Sequence, residues 1–388
     1  MAQQPRPAPE GLLRPAPQGV TPQRPPRDLR LDVLRGWLQV SIFIAHAFGA
    51  IYFWGIHASW GVSDSSEQFV LLSGLALGSV FTLKRVRDGF GAALRDLGGR
   101  IRRLYLTHLV VFVLFAAMVF WAQMAVPLPG VVEATGWGWL VREPWLAIPG
   151  TLSLLYQPAF MDILPLFVLC MVLLAPFLWL LERLGDWALL APFGLYGAAQ
   201  ILGLMPHGLG GRELGFDPLA WQVLFLLGAW LGRRALLGAS PLPRHPALFA
   251  TALLVLLAGL WVKLGHYGWM VPAPALLDEF SQKPSLGPLR LVHALALAWL
   301  VAVLVPREAP WMHGALPRAL AVIGRHSLHV FCLGLFLSWG VAMALSLHPA
   351  GAWWLELALI PLGAAALAGF AATLERRRQP SRRMARAG

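Results

Sequence analysis

Charge is what this chain has least of. Only 13% of its 388 residues are Asp, Glu, Lys or Arg, against about 25% in a soluble domain, and the deficit excludes an ordinary water-soluble globule. Cysteine is nearly absent. Cys170 and Cys332 lie far apart inside apolar runs, so they read as packing residues with neither a disulfide framework nor metal-ligand spacing. No zinc, P-loop, dinucleotide or nucleophile-elbow motif stands in a credible context, and no metal is expected. No internal repeat divides the apolar segments into matching halves, which counts against the transporters built that way.

Long apolar runs stand in place of charge. Hydrophobic residues make up 57% of the chain, and about ten segments are each long enough to cross roughly 30 Å of hydrocarbon as a helix. They cover 32–56, 66–84, 104–126, 160–181, 186–205, 218–236, 246–264, 288–305, 319–345 and 351–374. The expected fold is all-α: a polytopic integral membrane protein with about ten transmembrane helices, whose first partners are membrane lipids. Its membrane domain runs over 31–374. A disordered N-terminal tail, 1–30, precedes it; PRPAPEG, RPAPQG and RPPRD there lack the short apolar core of a cleavable signal peptide. A basic C-terminal tail, 375–388, follows.

The net charge of +12 would suggest nucleic acid in a soluble chain, but the basic residues sit in short loops and tails between apolar runs, so no nucleic-acid partner is expected. With both termini cytoplasmic, about 24 of the 31 Lys and Arg residues fall inside and about five outside. The outer loops then collect Trp54, Trp60, Trp137, Trp139, Trp145 and Trp269. These fit an interfacial belt, and sugar-stacking platforms would look the same.

One polar stripe interrupts the first apolar segment. Asp32, Arg35, Gln39 and His46 lie in LDVLRGWLQVSIFIAH; at about 100° per residue, Arg35 and His46 return to within roughly 20° of one another, about 16 Å apart along the axis. Ionisable groups at membrane depth are costly and mark function, so His46 is the leading candidate for chemistry. For Arg35 a snorkelling anchor paired with Asp32 is the competing reading. In SDSSEQFVLLSG, Ser63 or Asp64 caps the second helix and Glu67 completes a capping box; Glu67 is equally able to turn toward His46 and orient its imidazole. Asp162, Asp217 with Gln222, and Arg290 with His293 open three other helices at the same depth, where they are either caps or the lining of a polar cavity. At the opposite end Arg100, Arg102, Arg103 and Arg325 form a basic rim, either solvated anchors or a phosphate site. GLALG at 74–78 has the spacing of close helix packing.

Read together, RLDVLRG, IFIAH, SDSSEQFVLLSG, QPAFMDILPLF, FDPLAWQVLFLLGAWLG, LRLVHALALAWLV and IGRHSLHVFCLG resemble the OpgC family, whose best-known members succinylate osmoregulated periplasmic glucans. The resemblance covers nearly all of 28–345. It extends to the wider transmembrane acyltransferase superfamily, marked on its first helix by an arginine, ten residues and a histidine, which Arg35 and His46 match. It implies a multi-pass O-acyltransferase of the bacterial inner membrane that moves a succinyl or acetyl group from a cytoplasmic coenzyme A thioester to a hydroxyl of an extracytoplasmic glycan. His46 would be the general base or carry the acyl group, with Glu67 or Asp64 orienting it, because Ala45 stands where many relatives carry an acid. Arg35, Arg103 and Arg325 would hold the phosphates of acyl-CoA, the donor, and Arg290 or Gln222 the oxyanion; Asp162 and His293 complete the acceptor side. A transporter or flippase for an anionic or sugar-linked solute, with His46 as proton relay, is the alternative reading, and a glycan-binding scaffold without catalysis is a third.

Overall fold

A computed structural model describes residues 28–126, 130–210, 213–238, 242–307 and 309–387. The expected N-terminal tail falls outside the described residues up to position 27. Its last residues belong to the first helix, because Asp28 caps it by accepting from the backbone N–H of Arg30 at 3.1 Å.

The longer helices are α1 Leu29–His46, α2 Ser65–Asp88, α3 Phe90–Ala125, α4 Ile163–Leu184, α5 Leu190–Leu202, α6 Pro218–Leu236, α7 Pro246–His266, α8 Pro288–Leu304, α9 Ala315–Arg325, α10 Ser327–Leu347 and α11 Ala352–Ala387. Short helices at Val131–Ala134, Trp139–Arg142 and Pro144–Leu152 join α3 to α4, and Ala275–Glu279 lies between α7 and α8. No β-strand occurs among the described residues beyond isolated bridges. Six helical stretches are long and apolar enough to cross a membrane, at 65–88, 90–125, 163–202, 246–266, 327–347 and 349–378. Their outward faces stay apolar: Val113 and Leu114 on α3, Leu253 and Leu254 on α7 and Leu362 on α11 are exposed, as lipid-facing side chains must be.

Two segments break where the hydrophobic pattern runs on. The first ends as a helix at His46, and a 3₁₀ turn at Tyr52–Gly55 follows it. The ninth divides at His326, whose backbone N–H bonds to the Ile323 carbonyl and whose ring is drawn to Glu375 of α11 at 2.8 Å. Apolar content alone does not register either break, because both are made by backbone geometry and a distant partner.

Glycine sets the closest helix pairs. Along α2 and α6 the packing is reciprocal: a Cβ on Gly74 would lie 1.9 Å from the Phe225 carbonyl oxygen, and one on Gly228 2.1 Å from that of Leu71. The GLALG spacing thus serves backbone-to-backbone approach, the usual means of joining helices where water supplies no driving force. α1 meets α9 in the same way through Gly36 and Gly324. One apolar core gathers α2, α3, α4 and α6; a second joins α1 with α9, α10 and α11. The candidate site lies on the seam between them.

Candidate functional site

His46 closes α1. Its Nδ1 lies 2.8 Å from the carbonyl oxygen of Ile42, and because a carbonyl only accepts, Nδ1 carries the proton. In the neutral ring Nε2 is therefore the basic nitrogen. It makes no hydrogen bond to the described residues and is left to a narrow cavity lined by Ile42, His46, Ser66, Phe160, Asp162 and Phe216 among others. The cavity volume is about 20 Å³, room for about one water molecule. Phe160 packs its ring 5.4 Å from the imidazole. It does so from a left-handed backbone conformation, φ 73°, which a bulky residue adopts only where its surroundings impose it; the flanking N–H groups of Ala159 and Met161 are tied to Thr135 and Pro158.

Two polar groups share this cavity. The Asp162 side chain precedes α4 without capping it, and its carboxylate makes no hydrogen bond or ion pair among the described residues. Its carboxylate is half-buried against Gly215, where a Cβ would come within 2.4 Å of Oδ2. Ser66 is buried, and its hydroxyl has no partner among the described residues. Nothing in the sequence pattern singles out Ser66 from the two serines beside it; only the phase of α2 does.

Beside the cavity two acids and two bases form a partly buried cluster. Asp64 caps α2 through the N–H of Ser66, 2.7 Å from Oδ1, and its Oδ2 accepts from Lys283 Nζ at 2.7 Å and Arg290 Nη2 at 2.9 Å. Burial alone would raise the Asp64 carboxyl, but Lys283 and Arg290 outweigh it and hold the group well below the ordinary carboxylate range. Glu67, fully buried, accepts from the Asp64 N–H at 2.7 Å with Oε2 and from Arg290 Nε with Oε1. The capping box of SDSSE is thus complete. The cluster sets two acids against two bases, and its Glu67–Arg290 half is buried.

Lys283 is absent from the sequence candidates. Its loop, QKPSLG, has no periodicity, and its position is set from outside. Trp221 donates to the carbonyls of Lys283 and Pro284, Gln200 to Ser285 and Tyr196 to Leu286. The ammonium then lies 5.5 Å over the Phe216 ring, itself part of the cavity wall. Of the charged groups, Asp162 lines the His46 cavity itself and Lys283 stands behind its Phe216 wall.

Several expected partnerships take another form. Glu67 does not orient His46: its oxygens are occupied by Asp64 and Arg290, and the imidazole is held by Ile42. Arg290 is committed to Glu67, Asp64 and the Ser281 carbonyl. Gln222 turns between α5 and α6, donating to the carbonyls of Pro192 and Leu219. His293 bonds Ser63 at 2.7 Å and fills the space left by Gly61 and Gly259. None of the last three lines the cavity.

At the other end of α1, Arg35 donates to the Leu72 carbonyl at 2.7 Å. Arg325 and His326 converge on Glu375 of α11, at 3.3 and 2.8 Å, and Arg103 on α3 is exposed. The same α11 carries a second acid, Glu356, almost fully buried. It accepts from the N–H groups of Ala50, Ile51 and Tyr52 at 2.8, 2.6 and 2.8 Å, fixing the loop that follows His46.

Fold and site together define an all-helical membrane protein with a histidine, a carboxylate and a hydroxyl around one cavity, buttressed by a cluster of two acids and two bases. The chain belongs to the OpgC family: the family described as OpgC protein matches residues 27–379, nearly its whole length. Membership carries a membrane acyltransferase-type role in glucan modification. No curated protein and no solved structure matches the chain.

Proposed function

We propose that this chain is a multi-pass O-acyltransferase of the bacterial inner membrane, with about ten crossings and cytoplasmic termini, that transfers a succinyl or acetyl group from cytoplasmic acyl-CoA to a hydroxyl of an extracytoplasmic glycan. The observation that carries this reading is the tautomer of His46, whose protonated Nδ1 is anchored on Ile42 while Nε2 is left to the cavity shared with Asp162 and Ser66.

In this reading the acceptor hydroxyl gives its proton to Nε2 as its oxygen attacks the thioester carbonyl carbon. The C–S bond then breaks and the departing thiolate takes the proton back from the imidazolium. Asp162 supplies the negative charge that favours the imidazolium, the part first expected of Glu67. The Ser66 hydroxyl on the cavity wall, and the Lys283 ammonium against Phe216 of that wall, are the donors for the developing oxyanion. Arg290 and Glu67 act one step back, holding Asp64 and through it Lys283. Arg35, Arg103 and Arg325 meet the phosphates of the donor, whose thin arm has to cover the roughly 16 Å between Arg35 and His46.

The test is transfer by purified protein in proteoliposomes, with labelled succinyl-CoA or acetyl-CoA on one side and gluco-oligosaccharide on the other. Labelled oligosaccharide should form, and His46→Ala should slow it by about 10² to 10⁴ without unfolding the protein. Movement of unmodified solute would instead define a transporter, and neither result a scaffold.

A further inference from the structure

Four aromatic rings from two loops far apart in the chain meet at the end of the bundle that carries His46. Trp54 stacks on Trp269 with centroids 5.1 Å apart and 15° between planes, and it meets Tyr267 at 5.0 Å and Trp60 at 5.7 Å. The rings are nonetheless open: Trp54 is 36% exposed, Trp60 45% and Trp269 59%.

In a membrane-interface belt the polar tip of each ring is given to water and headgroups. Here two of the tips are spent inside the protein. Trp60 Nε1 donates to the Trp54 carbonyl at 2.8 Å and the Tyr267 hydroxyl to that of Ser59 at 3.0 Å. Glu356 braces the turn carrying Trp54 from below, and Trp261 Nε1 donates to the Val271 carbonyl to hold the other loop. The rings are thus set in advance of any ligand, which lowers the ordering cost of binding.

A polar rim surrounds this floor. His266 and Asp278, both exposed, pair at 2.7 Å beside Tyr267, and Lys263 lies 6.0 Å over the Tyr267 ring. Residues 54–60 lead directly through Ser63 into the Asp64 cap, whose carboxylate accepts from Lys283 and Arg290. The floor is therefore continuous with the charge cluster beside the cavity. Flat apolar faces edged with charged donors and acceptors match a pyranose, whose C–H face is apolar and whose rim is hydroxyl.

We propose that Trp54, Trp60, Tyr267 and Trp269 form a carbohydrate-binding platform that receives the acceptor chain and feeds its hydroxyls toward His46. This rests on the acyltransferase reading for its role but not for its binding. The experiment is a binding titration without donor: linear gluco-oligosaccharides of about six residues, in α and β linkage, against detergent-purified protein, followed by tryptophan fluorescence and equilibrium dialysis. Trp269→Ala and Trp54→Ala should each weaken binding about tenfold, with Phe at either position restoring most of it. In transfer assays the same variants should raise the acceptor KM and leave kcat and the donor KM alone. Equal binding by wild type and alanine variants, or none by wild type, overturns the platform. So does a defect confined to retention in lipid nanodiscs, the signature of an interfacial belt. Binding that falls as expected without any acyl transfer leaves the platform standing and removes the enzyme reading.

Discussion

Arg290 and Glu67, 223 residues apart in the chain, share a hydrogen bond at the head of α2 where solvent does not reach. The same carboxylate accepts from the Asp64 N–H, so it is at once half of a capping box and counter-ion to a guanidinium. Removing one member of a buried pair leaves the other uncompensated, at about 3–5 kcal/mol. Glu67→Gln and Arg290→Gln should each lower the unfolding midpoint in detergent, and the double variant should cost less than the two together. Strictly additive losses would mean that the pair is not coupled.

Asp162 shares the cavity with His46 and spends its carboxylate on no other described group. Asp162→Asn should reduce kcat by about tenfold to a hundredfold with little change in the unfolding midpoint. In a His46→Ala background the substitution should have no further effect, since there is no imidazolium left to favour. A full-strength effect without His46 would assign Asp162 to substrate binding instead.

Asp64 is held ionised by Lys283 and Arg290 against its own burial. Its folded value lies below its unfolded one, so the stability it contributes is complete above the unfolded value of about 3.9 and is lost as pH falls through the folded value. The loss of midpoint caused by Asp64→Asn should be present near neutral pH and shrink as pH falls below about 4. A penalty that disappears nearer neutrality would contradict the ion pairs.

The α2–α6 contact leaves no room for a methyl group at Gly74 or Gly228. Gly74→Ala and Gly228→Ala should each destabilise by about 1–3 kcal/mol through forced separation of the backbones. Gly91→Ala, at an exposed site with nothing within 4 Å of its Cβ, serves as the control and should be neutral in the same thermal assay.

Gly55 and Gly91 lie beyond opposite ends of α2, both exposed and with open space at Cβ. In a background with Cys170→Ala and Cys332→Ala, single cysteines at these two positions should react with an impermeant maleimide from opposite faces of intact vesicles. Ser59, fully buried with its hydroxyl on the Ile56 carbonyl, is unsuited to this measurement. Reaction from the same face would overturn the orientation and the path proposed for the acyl group.

The line of Arg35, Gln39 and His46 is legible in sequence because helical period alone puts residues eleven apart on one face. The Asp64 cap is legible because capping is local chemistry. Glu67 shows where this stops. Its two available partners differ only in tertiary placement, and the one it takes, Arg290, comes from α8. Lys283 and Glu356 leave no trace: one sits in an aperiodic loop fixed by Gln200 and Tyr196, 85 and 90 residues from the groups they hold. The other is an acid near the start of an apolar helix whose partners are backbone N–H groups about 300 positions earlier, and a backbone N–H has no signature in sequence.

Those N–H groups give α11 a further property. Glu356 grips the loop after His46, and Glu375, further along the same helix, grips Arg325 and His326. At about 1.5 Å per residue the two carboxylates are roughly 28 Å apart along the axis, close to the depth of a hydrocarbon core. One rod thus gauges the distance between the His46 loop and the Arg325–His326 corner, the two ends of the proposed path, and neither end shifts along it without dragging on the other. Pro361 is the one proline between the two acids. It has no N–H to close a helix turn, so any flexing of the gauge concentrates there.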